Sequence, residues 1–439
     1  MGDGKLQRVL RGNPFWKFRY GEEHCKVALL LSAILTVPLR DVIAMGLSLF
    51  LPLSVARGIG YVLLGACVVP LFIVPFLQCL KWTRDMFLVG AFILSGLLLF
   101  GLRRPEEVNG VYLSLIAKSM LMAFPYYIVA RSLKDYSLLE RALYSASYAI
   151  NVLVFLSMWH RVELNGGYSM GAAYAALPGA VIAFRMLLRQ FSFLAVLNAG
   201  ISFFALGFCG TRGPIVCYVL FCIYEMTFNR GKAENRAIQK IMAVCMILGA
   251  LLAGACMMKG LPAPMESRRL VRKIEQGTFW VEPTRARLRQ AALEVLQESP
   301  LAGVGLIEDR LQIYYRGGFA LEKPTEGYVG YYSHFVFLDW MLEYGFFVGT
   351  LISLAALCAV YKIFFMSQGS DKSCLEIFFF SGCVPLLFSG IWHEERLFYI
   401  VLGMLVSVME CHGKFLMNYN NHYRIGDSEN ERSVTQKNC

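Results

Sequence analysis

Apolar runs long enough to cross a bilayer recur along the whole chain, and no other feature limits the fold as much. A hydrocarbon core about 30 Å thick takes about 20 apolar residues of helix to cross. At that depth every backbone N–H and C=O must be satisfied within the protein. The chain is therefore read as an all-α polytopic membrane protein, with spans predicted at 27–39, 59–79, 84–102, 111–130, 142–159, 171–188, 192–210, 213–228, 238–258, 334–363, 375–391 and 396–411. That is about 12 transmembrane helices by the length rule. The segment Val42 to Ala56 is apolar and follows Arg40 and Asp41, which leaves it as a re-entrant helix, an interfacial helix or a thirteenth span.

The formal net charge of +11 raises the question of nucleic acid. The basic residues, however, sit in short clusters between apolar runs and at both ends of the chain, the distribution of positive-inside topology, and no nucleic-acid partner is expected. The N-terminal basic residues (Lys5, Arg8, Arg11, Lys17, Arg19, Lys26) form too long and polar a lead for a cleavable signal, so the first span reads as an anchor. Most of the 13 cysteines lie within apolar segments, such as Cys67, Cys217 and Cys383, and no CxxC occurs. They read as small buried hydrophobes, with no metal site and no disulfide framework.

The Lys/Arg rule orients the chain. The N-terminus, Lys81 to Arg84, Arg131 to Arg141, Arg185 to Arg189, Arg230 to Lys240, Lys362 to Lys372 and the tail from Lys414 fall inside. The division is a cytoplasmic segment 1–26, helices over 27–258, a large extracytoplasmic loop over 259–333, helices over 334–411 and a polar, disordered cytoplasmic tail over 412–439. Arg212 and the large loop both lie outside, so any chemistry is extracytoplasmic.

The outer loop is basic, against the trend. Thr284 to Ser299 reads as an amphipathic helix opened by Pro283 and closed by Pro300, with Leu288, Ala291, Ala292, Val295 and Leu296 on one face. Arg285 and Arg289 share another face, and Arg287 competes with them. Paired guanidinium groups suit a diphosphate, which they bind bidentately; a headgroup-facing helix is the other reading. His334 opens the span 334–363 and is suited to proton transfer near neutral pH. Asp339 is offset from it at i+5, while Asp339 and Glu343 stand one turn apart. Arg212, set in "FCGTRGPIVCYVLF" between apolar runs, either lines a polar cavity or snorkels to headgroups. There is no GxxxxGK[ST], HExxH, GxSxG or DxD, so neither cofactor nor metal is expected and the available tools are arginines and a histidine.

Four stretches carry a resemblance to the O-antigen ligase and polymerase superfamily of bacterial polysaccharide assembly. "CGTRGPIVCYVLF" resembles its Ser/Thr-Arg-Gly span, and "TRARLRQAALEVLQESPLAGVG" its arginine-led loop helix ending in Pro-x-x-Gly-x-Gly. "YYSHFVFLDWMLEYGFFVG" is similar to its histidine motif, with Phe335 where the family usually has Asn, and "RVELNGGYSMGAAYAALP" to its glycine-rich outer loop. The resemblance implies a metal-independent, inverting glycosyltransferase of the bacterial inner membrane. It would move a glycan from undecaprenyl diphosphate to a sugar hydroxyl at an outward-facing site.

By motif position the resemblance gives Arg212 and Arg285 the donor diphosphate and His334 the role of general base, with Arg161, Arg287 and Arg289 as further substrate-binding candidates. A polymerase joining repeat units is the leading expectation. A ligase acting on lipid A core and a lipid-glycan flippase are the alternatives. The implied partners are the lipid-linked donor, a glycan or lipid A core acceptor, and a chain-length regulator and flippase of the same pathway.

Overall fold

The computed structural model describes residues 22–52, 83–103, 122–165, 170–208, 211–228, 283–306, 308–318, 331–365 and 367–410, with Ser119 and a few positions between 55 and 63. The span expected at 238–258, most of that at 59–79, half of that at 111–130, the chain ends, and Gly166 and Gly167 of the 161–178 stretch lie outside the described residues. Those described are helical, with no strand among them. The helices are α1 Glu22–Ser48, α2 Arg84–Arg103, α3 Phe124–Ser132, α4 Tyr136–Asn165, α5 Met170–Arg189, α6 Phe193–Phe208 and α7 Arg212–Phe228. They continue with α8 Pro283–Glu298, α9 Glu308–Arg316, α10 Val336–Tyr344, α11 Phe346–Phe365, α12 Gly369–Phe378 and α13 over 396–410.

Three of these helices are long and apolar enough to cross a membrane: α1, Gly171–Arg189 within α5, and α11. Their burial differs in a way that places them. The most apolar stretch of α5 is 78% buried and that of α11 only 17%, so α5 is the centre of the bundle and α11 its edge. On α11, Phe347, Leu351, Leu354, Leu357, Tyr361 and Phe365 are exposed as an apolar stripe, the surface a bilayer would cover.

Several boundaries differ from the sequence reading. The span expected at 142–159 is the 30-residue α4, and the one expected at 375–391 is α12 followed by a π-helical turn Phe379–Cys383 and a 3-10 turn Val384–Leu387. The span expected at 27–39 and the separate segment expected from Val42 are one helix, α1, which runs on to Ser48 through Pro38. Arg40 Nη2 and Asp41 Oδ1 are 2.6 Å apart, so the two charges that looked like a boundary neutralise each other and the helix need not stop there. The single span expected at 334–363 is two helices, α10 and α11, broken at Gly345 with φ +85°.

That break is where the loop helices dock. A Cβ on Gly345 would lie 2.1 Å from Leu301 O, and one on Gly303 would lie 2.4 Å from Gly345 N. Only glycine permits such approach, and both positions carry the positive φ that it adopts without strain. Backbone hydrogen bonds Val304 N→Leu342 O (2.7 Å), Gly305 N→Glu343 O (3.0 Å) and Phe346 N→Pro300 O (2.7 Å) close the contact. The apolar face read from the sequence, Leu288, Ala291, Ala292 and Val295, is buried with Val304, Ile313 and Leu342. The arginine-bearing helix α8 is thereby fixed to α10.

Arg185 is a correction. It was expected in an inner loop, but it lies within α5 and is fully buried. Its five N–H groups have five acceptor contacts. Nε donates to Glu225 Oε1 (2.6 Å), Nη1 to Ser373 O (2.6 Å) and Ser373 Oγ (3.1 Å), and Nη2 to Glu376 Oε2 (2.6 Å) and Glu225 Oε1. Those carboxylates come from α7 and α12, remote in sequence, so hydropathy alone has no means of seeing the compensation. Only Arg189 stands at the helix end, paired with Glu140.

Arg185→Met alone would strand two buried carboxylates and is expected to cost about 3–5 kcal/mol, read as a lower Tm of the detergent-solubilised protein. Adding Glu225→Gln and Glu376→Gln should restore most of that loss. A single variant that melted with the wild type would show that the network does not hold the bundle together.

Candidate functional site

His334 sits in the turn between Tyr331 and α10. Its φ is +58°, and among the described residues it is the non-glycine residue held in the left-handed region, a conformation that costs on the order of 1–3 kcal/mol unless its surroundings enforce it. The neighbouring groups do so. Ser333 N donates to Asp339 Oδ1 (3.2 Å), Ser333 Oγ donates to Phe335 O (3.0 Å), and Phe335 N donates back to Ser333 Oγ (3.1 Å). Asp339, set back at i+5 in the sequence, thus reaches the backbone before the histidine and not the imidazole. The Tyr332 ring lies 4.1 Å from the imidazole, centroid to centroid. His334 is 9% exposed, and its Nδ1 is buried with no hydrogen-bond partner.

The arginine helix brings positive charge to this imidazole. Burial, then the charges of Arg285 and Arg289, push the His334 pKa down to about 3, so the ring is neutral at ordinary pH. The shared face read for Arg285 and Arg289 is therefore the face toward the histidine. Arg287 points elsewhere and donates to Gly317 O at the end of α9 (2.5 Å).

Arg212 reaches the same end of the bundle through a chain of contacts. It is half-buried at the first position of α7. A Cβ on the adjacent Gly213 would lie 2.3 Å from Tyr174 Oη on α5. The charge of Arg285 is felt at both Tyr174 and Tyr332, and Tyr332 Oη is 3.0 Å from Ser389 Oγ. Arg161 lies in the last turns of α4, and its side chain is outside the described residues.

Behind the histidine lies a buried polar layer that the sequence reading did not assemble. Glu308, Asp309 and Arg310 are all buried at the start of α9. Arg310 Nη2 is 2.7 Å from His393 Nε2. Arginine can only donate, so Nε2 accepts and the His393 proton sits on Nδ1, facing Ser119 Oγ at 3.1 Å. Trp392 Nε1 donates to Glu343 Oε2 (2.8 Å). Charged triplets inside apolar sequence, "LIEDRL" and "WHEERL", are the signal that would have drawn attention to these residues.

Among the described residues the fold is all-helical, with helices long and apolar enough to cross a membrane and with arginines, a strained histidine and buried hydroxyls at one end. Protein-family models, curated proteins and solved structures were all compared with the chain, and none matches it.

Asp339→Asn keeps a carbonyl oxygen to accept from Ser333 N and should leave Tm nearly unchanged. Asp339→Leu leaves that N–H buried and unpaired, and should cost about 1–3 kcal/mol. Thermal melts of both variants against wild type check the difference, and equal melts would remove Asp339 from the support of the turn.

Proposed function

We propose that this chain is a membrane glycosyltransferase of the bacterial cytoplasmic membrane that polymerises undecaprenyl-diphosphate-linked oligosaccharide repeat units at an outward-facing site. The observation that carries the reading is the convergence of Arg285 and Arg289 on a neutral, strained His334, with the Arg212 helix start joined to the same end through Tyr174.

The chemistry needs little else. The acceptor hydroxyl oxygen attacks the anomeric carbon of the donor, and its proton passes to the His334 imidazole. The bond from the anomeric carbon to the phosphate oxygen breaks, and undecaprenyl diphosphate leaves with the electron pair. One displacement inverts the anomeric centre. Arg212 and Arg285 offset the negative charge that grows on the leaving diphosphate, and in a site of low dielectric such fixed charges are worth more than in water. A transporter with a comparable cationic path would have no use for a neutral imidazole held in a costly backbone conformation.

The free site is arranged to keep His334 unprotonated, and a bound diphosphate changes that balance. Its negative charge cancels part of the field of Arg285 and Arg289, which raises the imidazole pKa toward the range where a general base works best. The acid limb of kcat, which reports the substrate complex, is therefore expected at higher pH than the acid limb of kcat/KM, which reports free enzyme. Coincident limbs in a pH series that runs from below the free-protein value of about 3 up to the ordinary histidine range would contradict the coupling.

The direct test is deletion of the gene in its host with rescue by wild type, Arg212→Lys and His334→Ala. Surface polysaccharide and lipid-linked intermediates are then separated on gels. Loss of polymer with single repeat units still transferred is the expected phenotype, whereas bare lipid A core with long chains left on the carrier would mean a ligase. His334→Ala should lower turnover about 10²–10⁴-fold, and Arg212→Lys should fail to restore full polymer because an ammonium cannot grip phosphate bidentately. An unchanged profile in the deletion strain would end the proposal.

A further inference from the structure

Among the described residues, three of the buried polar atoms that lack a well-formed hydrogen bond lie at this end of the bundle: Thr211 Oγ1, Tyr174 Oη and His334 Nδ1. An unsatisfied buried polar group is destabilising, and native proteins carry few without a reason such as a ligand. The opposite ends of the same helices show what the chain does where it has only structure to maintain. At Arg185 and Glu225 every guanidinium N–H has an acceptor contact.

Tyr174 is the most informative of the three. Its neighbours on α5, Ala172, Ala173, Ala176 and Leu177, are buried and apolar. The Ser389 hydroxyl interacts with Tyr174 Oη without meeting hydrogen-bond geometry, and its Oγ stands 3.0 Å from Tyr332 Oη. Space for the phenol is made by Gly213, where any Cβ would stand 2.3 Å from its oxygen. That glycine adjoins Arg212, and the charge of Arg285 reaches the same oxygen. A phenolic O–H flanked by two guanidinium-bearing segments matches an oxyanion with several acceptor oxygens, which is the chemistry of a phosphate.

We propose that Tyr174 Oη is a substrate-binding group, donating a hydrogen bond to a phosphate oxygen of a lipid-borne diphosphate held between Arg212 and Arg285; this rests on the function proposed above. The arginines supply charge, which draws the diphosphate in from many directions. The phenol adds none. Attached to a half-buried ring that packs against the core at this end of α5, it fixes which phosphate oxygen faces α5 and so which way the anomeric carbon points toward His334.

The test uses the full-length protein in detergent, with farnesyl diphosphate and inorganic pyrophosphate as probes and Tyr174→Phe and Gly213→Ala as variants. Tyr174→Phe should melt close to the wild-type temperature, since the hydroxyl it removes makes no well-formed hydrogen bond, while its farnesyl diphosphate affinity falls roughly tenfold, the worth of one hydrogen bond to a charged group. Gly213→Ala improves helix propensity yet displaces the phenol, and should weaken the same binding. It also decides the matter if Tyr174→Phe does not fold. Wild-type affinity in a folded variant would overturn the assignment of Tyr174 while leaving the proposed function standing. Failure of the wild type to bind either probe would strike the proposed function itself, and equal affinity for the two probes would overturn the claim that the diphosphate is recognised on a lipid.

Discussion

The contact between Gly303 and Gly345 joins the arginine helix to the histidine helix, and the candidate site depends on it. Two backbones meet at a distance that no side chain allows, and hydrogen bonds on either side of the contact hold it in register. The break it imposes between α10 and α11 has a second effect. It lets α11 leave as a long apolar helix while α10 stays short, with the His334 turn at its start. Without the break, a continuous helix would have no backbone N–H groups free at residue 346 to receive the loop.

The polar interior is divided between two ends of the same helices. α5 carries Tyr174 at one end and Arg185 at the other, and α7 carries Gly213 and Glu225 in the same order. The two helices therefore run parallel, with α6 returning beside them. At a rise of about 1.5 Å per residue the two clusters stand roughly 17 Å apart. At the Arg185 end, charge is buried and fully matched. Such matching is required because a lone charge in an apolar bundle costs several kcal/mol after relaxation. At the Tyr174 end the polar atoms are left unmatched and one backbone residue is strained. Unmatched polar atoms beside a strained backbone residue, at one end of helices whose other end is fully matched, mark where binding or catalysis has shaped a protein.

The electrostatics of the histidine follow from that division. A neutral imidazole beside two arginines is a weak base in the free protein, and it is made stronger by the anion that the same arginines attract. Substrate binding and base strength are thus linked through one field, with no moving part needed. Support for the imidazole comes from the peptide of Ser333 and from Asp339 on α10, and the aromatic ring of Tyr332 closes one side.

Much of the fold is legible in the sequence because its signals are local. Apolar run length predicts the helices from α5 to α7 closely and α4 with both ends cut short, and the face of α8 follows from i, i+3, i+4 spacing. Proline at either side marks its ends. The cationic character of the site is legible for the same reason, since arginines in apolar surroundings need an explanation wherever they occur. Arg40 and Asp41 misled the reading of α1 because adjacent opposite charges cancel only if their side chains meet, which is a matter of rotamers and not of composition. The break at Gly345 was missed because its cause is a loop some forty residues earlier in the chain. Arg185 was misplaced because its partners lie on other helices, and Tyr174, Ser389, Arg310 and His393 were not recognised at all, for their meaning comes from neighbours distant in sequence. Length and periodicity are properties of a segment and can be read from it; whether a buried charge or hydroxyl is paired is a property of the packed chain, and only the tertiary structure decides it.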